Sequence, residues 1–395
     1  MEQMRYRITS IDLLRGAVMI IMALDHVRDY FHESAMVMDP MDLETTTPAL
    51  FLTRWITHFC APVFVFLSGI SAYLSGLRKS GRELSNFLIK RGLWLIFAEI
   101  SIVSFGWTFN PFFNTMVLQV IWAIGVCMIS LGILCRLPYT AVLVIALIII
   151  FGHNTLDYIG TAHEGLKGFI WDAIHNGHFN FYPVNEAKTH GFMIVYPVLP
   201  WIGIMSLGFA LGKLFEPSFP ADKRRRFLIV SGSSLITLFV ILRQINGYGD
   251  KLHWQFQDNF LYTLFSIVDV SKYPPSLAFT CMTLGPAMLF LAFAENIRSK
   301  AADFIMVFGR VPFFYYILHI YVIHLFTVLC FFLAGYTTAD ISSPQSFFNF
   351  RPPDFGFSLP LVYAWWAGII IILYFPCKWF DRYKQTHKTW WLSYL

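Results

Sequence analysis

An arginine and a histidine stand eleven positions apart in an otherwise apolar stretch, Leu13-Leu14-Arg15-Gly16-Ala17-Val18-Met19-Ile20-Ile21-Met22-Ala23-Leu24-Asp25-His26, where charge is expensive. On a helix that separation is about three turns, so both side chains share one face, offset by only ~20° and ~16 Å apart along the axis. An imidazole titrates near neutral pH and can take a proton from a hydroxyl or an amine. A guanidinium on the same stripe adds a permanent cation with several hydrogen-bond donors. The bland alternative for His26 is an interfacial histidine satisfied by water.

Other polar residues bear on this stripe. Asp25 adjoins His26 and so points elsewhere round the helix, while Asp29 lies one turn on. Either could orient the ring through the fold, or merely end a hydrated helix. Asp12, one turn before Arg15, suits the positive start of a helix that Thr9 or Ser10 could cap. His58 opens the second apolar run and could meet His26 across a site mouth, and both His32 and His58 compete with His26 for its role. Tyr315 and Tyr316 precede His319 by four and three residues and occupy neighbouring faces, whereas His324 lies about 140° round and faces another point. His319 reads either as part of a polar track or as a core histidine bonded to a tyrosine. Lys272 and Tyr273 precede Pro274-Pro275, whose restricted backbone suits residues aimed into a mouth. Glu99 is one more charge in an apolar run, with an arginine as its expected structural partner.

The elements that must position these groups are those of a bilayer protein. Of 395 residues, 56% are hydrophobic and 13% charged, and mean hydropathy is +0.58, against about 25% charged in soluble domains. With no long polar stretch, residues 1–395 read as one all-α integral-membrane helix bundle. Ten apolar runs near the ~20 residues that cross a bilayer begin near Ile11, Thr57, Phe87, Met116, Tyr139, Met193, Phe227, Leu277, Phe313 and Leu359. The fifth, Tyr139 to Gly152, is short enough to be re-entrant or interfacial. Basic connections at 78–82 with Lys90 and Arg91, at Arg136, at 223–226, at Arg298, Lys300 and Arg310, and in the tail at Lys378, Arg382, Lys384 and Lys388 alternate with acidic, neutral or mixed ones. The positive-inside rule then places both termini in the cytoplasm of an inner-membrane protein, with Arg15 toward the cytoplasm and His26 at the outer end. The basic lead at Arg5 and Arg7 precedes a run that ends in Asp25-His26-Val27-Arg28-Asp29, not in a cleavage site, so the first helix reads as uncleaved. The long outer connections read as folded caps.

Several chemistries are thinly supported. The net charge of +5 is distributed over short connections, a topological signal and not a nucleic-acid face. The six cysteines Cys60, Cys127, Cys135, Cys281, Cys330 and Cys377 include no CxxC pair, so no disulfide framework is expected. His153, His163, His175, His178 and His190 lack the carboxylate or cysteine pattern of a zinc site, and no metal is expected. There is no Gly-rich phosphate loop or Gly-x-Ser-x-Gly elbow, and Ser68-Gly69 reads as small-residue helix packing. No internal repeat is evident, which weighs against a transporter assembled from repeated halves.

Arginine, ten residues, then histidine in a first apolar helix resembles the R-x10-H motif of integral-membrane acyltransferase family three. The wider phrase Ser10-Ile11-Asp12-Leu13-Leu14-Arg15-Gly16, followed by Leu24-Asp25-His26-Val27-Arg28-Asp29-Tyr30, is similar to bacterial members of the heparan-alpha-glucosaminide N-acetyltransferase-like family. So are Thr57-His58-Phe59-Cys60-Ala61-Pro62, Tyr196-Pro197 with Pro200-Trp201, Lys272-Tyr273-Pro274-Pro275-Ser276-Leu277, and Gly309-Arg310-Val311-Pro312-Phe313-Phe314-Tyr315-Tyr316. The resemblance implies transfer of an acyl group, acetyl above all, from cytoplasmic acyl-coenzyme A to a glycan or amino-sugar acceptor at the outer face. It implies Arg91 and Arg310 near the coenzyme phosphates, with Lys90 as a topology determinant beside them. Arg15 would hydrogen-bond the pantetheine arm or polarise its thioester. Lys272, Tyr273, Tyr316 and His319 would line the substrate track. His26 would be general base or covalent acyl carrier, with Asp25 and His58 at its side. A transporter or lipid flippase using the same stripe is the alternative, against which stands the scarcity of acidic groups for ion coupling. A receptor or scaffold without chemistry is the third reading. Oligomeric state stays open, because lipid-facing and partner-facing apolar surfaces look alike.

Overall fold

A helix occupies each of the ten apolar runs, and the chain is 70% helix and 4% strand. The computed structural model describes residues 8–35, 37–177, 179–342, 347–387 and 389–393; Arg5, Arg7, His178 and Lys388 lie outside them. In chain order the helices are α1 (Thr9–Phe31), α2 (Pro48–Thr57), α3 (Cys60–Gly76), α4 (Gly81–Ala98), α5 (Ser104–Thr108), α6 (Val120–Leu134), α7 (Tyr139–Gly152), α8 (Gly165–Trp171), α9 (Leu199–Leu211), α10 (Ala221–Ile245), α11 (Phe260–Val268), α12 (Leu277–Phe293), α13 (Lys300–Arg310), α14 (Pro312–Leu333) and α15 (Leu359–Thr386). Among the described residues six spans are long and apolar enough to cross a membrane: Pro48–Gly76, Tyr139–Tyr158, Ala221–Ile245, Leu277–Asn296, Pro312–Leu333 and Leu359–Thr386. The 23-residue α1 is as long, but it carries Asp12, Arg15, Asp25, Arg28 and Asp29.

Several boundaries differ from the sequence reading. Met116 and Met193 begin no helix: they lie in β1 (Thr115–Leu118) and β3 (Gly191–Ile194), which pair in parallel, while β2 (Phe181–Pro183) pairs antiparallel with β3. Short runs of β-branched and apolar residues next to a helix do not announce where the period changes from 2 to 3.6. α4 starts at Gly81, not near Phe87, because Ser80 and Glu83 form a reciprocal capping box. Lys90 and Arg91 are therefore inside a helix and not in a connection. The basic run 223–226 likewise forms the first turns of α10. α1 has no side-chain cap; its N-cap residue is Ile8, not Thr9 or Ser10. Among the described residues the six cysteines are free thiols.

α1 is the central element, packed against α2, α3, α12, α13, α14 and α15. Close backbone approach sets its seat on α13, a helix the hydropathy pattern did not reveal. A Cβ on Gly16 would lie 2.1 Å from Ile305 O, and one on Gly309 would lie 2.0 Å from Asp12 O. Gly69 makes the same kind of contact in α3, where a Cβ would meet Met205 O of α9 at 2.1 Å, as expected for small-residue helix packing.

Candidate active site

His26 is held by a second histidine. Its Nδ1 lies 2.7 Å from His319 Nε2 on α14, and the two rings stack with centroids 4.9 Å apart. His319 Nδ1 lies 3.0 Å from the carbonyl oxygen of Tyr315, one turn earlier on the same helix. A carbonyl only accepts, so with both rings neutral His319 Nδ1 carries its proton and Nε2 accepts. His26 must then donate from Nδ1, which leaves the lone pair on its Nε2. Trp107 closes the other side of the ring, edge-on at 4.7 Å between centroids, and Tyr316 stands edge-on at 6.3 Å.

His26 borders a cavity that opens partly to solvent. Met19, Met22, Asp25 and His26 of α1 form one wall. The break between α2 and α3 supplies Thr57 and Cys60, and Ser68 lies farther down α3. Arg91 enters from α4, Tyr196 and Lys272 from loops, and Pro312, Phe313 and Tyr316 from the start of α14. The lining is mainly apolar, with charge concentrated at a few points.

Glu99 shapes the cavity indirectly. A π-helical segment, Glu99–Val103, continues α4 into α5 and turns the Glu99 carboxylate toward the first turn of α6. Its Oε2 accepts from Trp122 N at 2.6 Å. A carboxylate at a helix start meets free N–H groups and the positive end of the helix, and here it fixes Gln119, Val120 and Ile121, all cavity residues. The arginine expected as its partner is not the group it engages; the helix terminus is.

Asp25 lies at the same end of the cavity as His26 but serves arginines. Its carboxylate holds Arg28 Nη2 at 2.9 Å and Arg54 Nη1 at 2.5 Å, and Arg28 Nη2 also meets Asp29 at 2.5 Å. Neither aspartate makes a hydrogen bond to the imidazole; His319 takes that place. Lys272, buried in the loop before α12, lines the cavity, with its ammonium 5.3 Å from the Tyr273 ring centroid. Tyr273 itself stands one layer back, edge-on to Tyr196 at 5.2 Å.

The remaining candidates sit elsewhere. Arg15 bonds Asp12 Oδ1 at 3.2 Å, Gly309 O at 3.2 Å and Ser71 Oγ at 2.9 Å, joining α1, α3 and α13 without lining the cavity. Arg310 ends α13 and opens no helix; it pairs with Asp12 and Asp381, also away from the cavity. His58 is buried between α2 and α3, its ring 5.6 Å from Phe279. His32 receives a hydrogen bond from Ser34 N–H at 3.2 Å at the end of α1. His324 faces away from His319, as their angular separation requires; its Nδ1 and Nε2 lie 2.9 Å from the carbonyl oxygens of Gly106 and Asn349, of which a neutral ring donates to one. The outer histidines are structural ties: His163 to Asp172 and His175 to Asp157, at 2.8 Å each, and His153 to the Pro275 carbonyl at 2.9 Å. Among the described residues no group of three or more His, Cys, Asp or Glu is arranged to hold a metal. Sequence reasoning did not single out Trp107, Tyr196 or Arg54 as site residues; Tyr196 stood only within a family-like phrase, and Arg54 left a signal as a charge among the apolar residues of α2.

Comparison with known families gives one result. The family described as heparan-alpha-glucosaminide N-acetyltransferase, catalytic, matches residues 7–244, more than half of the 395-residue chain. The match covers α1 through α9 and all but the last residue of α10, hence most of the cavity wall, and stops before Lys272, Tyr316 and His319. No curated protein matches the chain.

Proposed function

The chain belongs to the heparan-alpha-glucosaminide N-acetyltransferase catalytic family, and we propose that it is a membrane acetyltransferase drawing on cytoplasmic acetyl-coenzyme A and delivering to an acceptor on the outer face. The observation that carries this reading is the hydrogen-bond order Tyr315 carbonyl, His319, His26, which leaves His26 Nε2 as a base directed at the cavity. An acceptor hydroxyl or amine gives its proton to Nε2 as its oxygen or nitrogen attacks the thioester carbonyl. The carbon–sulfur bond breaks, and the coenzyme thiolate leaves and takes up a proton. No second nucleophile is needed, so the base role is simpler than an acyl-histidine.

The cavity suits a narrow, mostly apolar arm with a polar end. It runs from Ser68, Arg91 and Pro312 to His26, Asp25 and Lys272. Arg91 is the cavity's cation nearest the basic end of the bundle and would hydrogen-bond the arm or a phosphate. Lys272, beside His26, would stabilise the oxyanion that develops on the thioester oxygen. We assign the ten apolar helices to ten crossings with both termini cytoplasmic, on the charge of their connections. The transporter alternative has less support, because the cavity carboxylate, Asp25, is already committed to two arginines.

The test uses purified full-length protein and acetyl-labelled coenzyme. Thioester cleavage or acceptor labelling that disappears in His26→Ala is expected. A wild-type protein that neither binds nor cleaves acetyl-coenzyme A removes the proposal.

A further inference from the structure

The basic run at the start of α10 meets a second basic segment from elsewhere in the chain. Arg224 turns inward and pairs with Glu295, 71 positions on, while its Nη1 donates to the Leu214 carbonyl at 3.2 Å. The neighbouring Arg225 guanidinium lies over Phe293, 5.4 Å from the ring centroid. Farther along, a Cβ on Gly232 would lie 2.8 Å from Gly285 O, so α10 runs close beside α12. These contacts bring Lys223, Arg225 and Arg226 to the segment that carries Arg298 and Lys300 into α13.

The charge gathered here is not balanced within the chain. All five of these cations are exposed, and among the described residues none makes a side-chain hydrogen bond or ion pair. The carboxylates of the same two segments are Asp222, Glu295 and Asp303, and Glu295 is already taken by Arg224. Apolar side chains adjoin the patch: Phe227 and Val230 of α10, and Phe293 and Ile297 beyond α12, are all exposed. α10 is long and apolar enough to cross a membrane, yet only four of its 25 residues are buried, so nearly all of its surface faces lipid. A cation that only fixes topology needs no more than the aqueous side of a helix end. Cations drawn together from two distant segments, directly beside lipid-facing rings, make a receptor for a group both anionic and apolar.

We infer that this patch is a binding site for one anionic phospholipid. Its phosphodiester oxygens accept hydrogen bonds from Arg225, Arg226 and Arg298, and its acyl chains lie along Phe227 and Val230. The site stands apart from the His26 cavity, and its occupancy is read without turnover. It has a structural consequence for α1 all the same. Leu13 of α1 packs against Ala294, Ala302 and Met306, on either side of Arg298. A headgroup that holds the start of α10 to this segment braces the seat of α13 on α1.

The experiment separates headgroup charge from acyl chains. Full-length protein in a neutral detergent is titrated with dioleoylphosphatidylglycerol, dioleoylphosphatidylcholine or sn-glycerol 3-phosphate, and bound molecules are counted by native mass spectrometry. The first phosphatidylglycerol should half-saturate at roughly tenfold lower concentration than phosphatidylcholine, with glycerol 3-phosphate unbound over the same range. In Arg225→Gln/Arg298→Gln the phosphatidylglycerol value should rise roughly fivefold for each charge removed, and the phosphatidylcholine value should stay put. Arg78→Gln/Arg82→Gln takes the same charge from the connection between α3 and α4 and should change neither. Equal half-saturation for the two lipids in wild type, or an equal loss in the two double variants, overturns the inference. Glycerol 3-phosphate that binds as tightly as phosphatidylglycerol would assign the cations to a free phosphate and overturns it too. If Arg225→Gln/Arg298→Gln does not fold, Arg226→Gln and Lys300→Gln, taken singly, carry the same comparison. Phosphatidylglycerol should also raise the melting temperature of wild type more than that of Arg225→Gln/Arg298→Gln, and equal increments would overturn the brace.

Discussion

His26 Nδ1 and His319 Nε2 lie 2.7 Å apart, and the Tyr315 carbonyl 3.0 Å from His319 Nδ1 gives that contact a direction. The consequence is kinetic. His319→Leu removes the acceptor for the His26 Nδ1 proton, so the ring can flip or change tautomer, and kcat should fall roughly ten- to a hundredfold with little change in KM for acetyl-coenzyme A. His319→Gln keeps an acceptor oxygen near that point and should retain more activity than Leu. Steady-state kinetics on the pair decide it. Equal loss in both would mean that His319 fills space and does not orient the base.

Glu99 should act on binding and stability more than on chemistry. Its carboxylate accepts from Trp122 N–H at the start of α6, whose first residues line the cavity. Glu99→Ala leaves those N–H groups unpaired, with a loss of about 1–2 kcal/mol as for other lost helix caps. Glu99→Gln still offers a carbonyl oxygen and should keep most of that stability. The expected pattern is a raised KM for acetyl-coenzyme A and a lower melting temperature in the alanine variant, each smaller in the glutamine variant. An alanine variant as stable as wild type would show that the cap does not hold α6.

The sequence made the helices and the His26 stripe legible because both depend on local periodicity. Ten apolar runs coincide with ten helices, and His319 and His324 separate round α14 as 3.6 residues per turn requires. What connects distant residues was not legible. Asp25 and Asp29 are the carboxylates nearest His26 in sequence, yet the imidazole is bonded 293 positions away. Arg15 looked like a cavity residue from its shared face with His26, but the cavity wall of α1 starts at Met19, and α13 covers the face below it. α13 itself carries Lys300, Asp303 and Arg310, so no hydropathy run marked it. Only its glycine, seated on the Asp12 carbonyl, shows why the chain folds back there.

Arg15 should therefore behave as a structural tie. Its guanidinium bonds Ser71 Oγ, Gly309 O and Asp12 across three helices, and Arg15→Ala leaves two acceptors and a carboxylate short of a partner. A loss of stability of about 1–3 kcal/mol is expected, while protein that survives purification should show KM for acetyl-coenzyme A within about twofold of wild type. Gly309→Ala should be the more damaging change, since its Cβ would lie 2.0 Å from Asp12 O and would force α1 and α13 apart. A many-fold rise in KM for Arg15→Ala with an unchanged melting temperature would return this residue to the coenzyme track.

The connection between α11 and α12 holds a carboxyl with a testable pH signature. Burial, with the negative charges of Asp39 and Asp250 nearby, pushes Asp269 up to about 7 from the ordinary 3.8. Between those two values the folded chain binds the proton that the unfolded chain has released. Stability therefore falls as pH rises through that window, the carboxyl's unfavourable contribution being complete above 7 and absent below about 4. Asp269→Asn keeps the shape and removes the charge. Its melting temperature should exceed that of wild type only slightly near pH 4.5 and by roughly 1–3 °C more at pH 8. Thermal unfolding of both proteins across pH 4.5–8 in one detergent measures the difference directly. A gap that is constant with pH, or that widens toward acid, would mean that Asp269 is ionised in the folded protein and paired by Arg243 or Arg54, the two cations that oppose its shift.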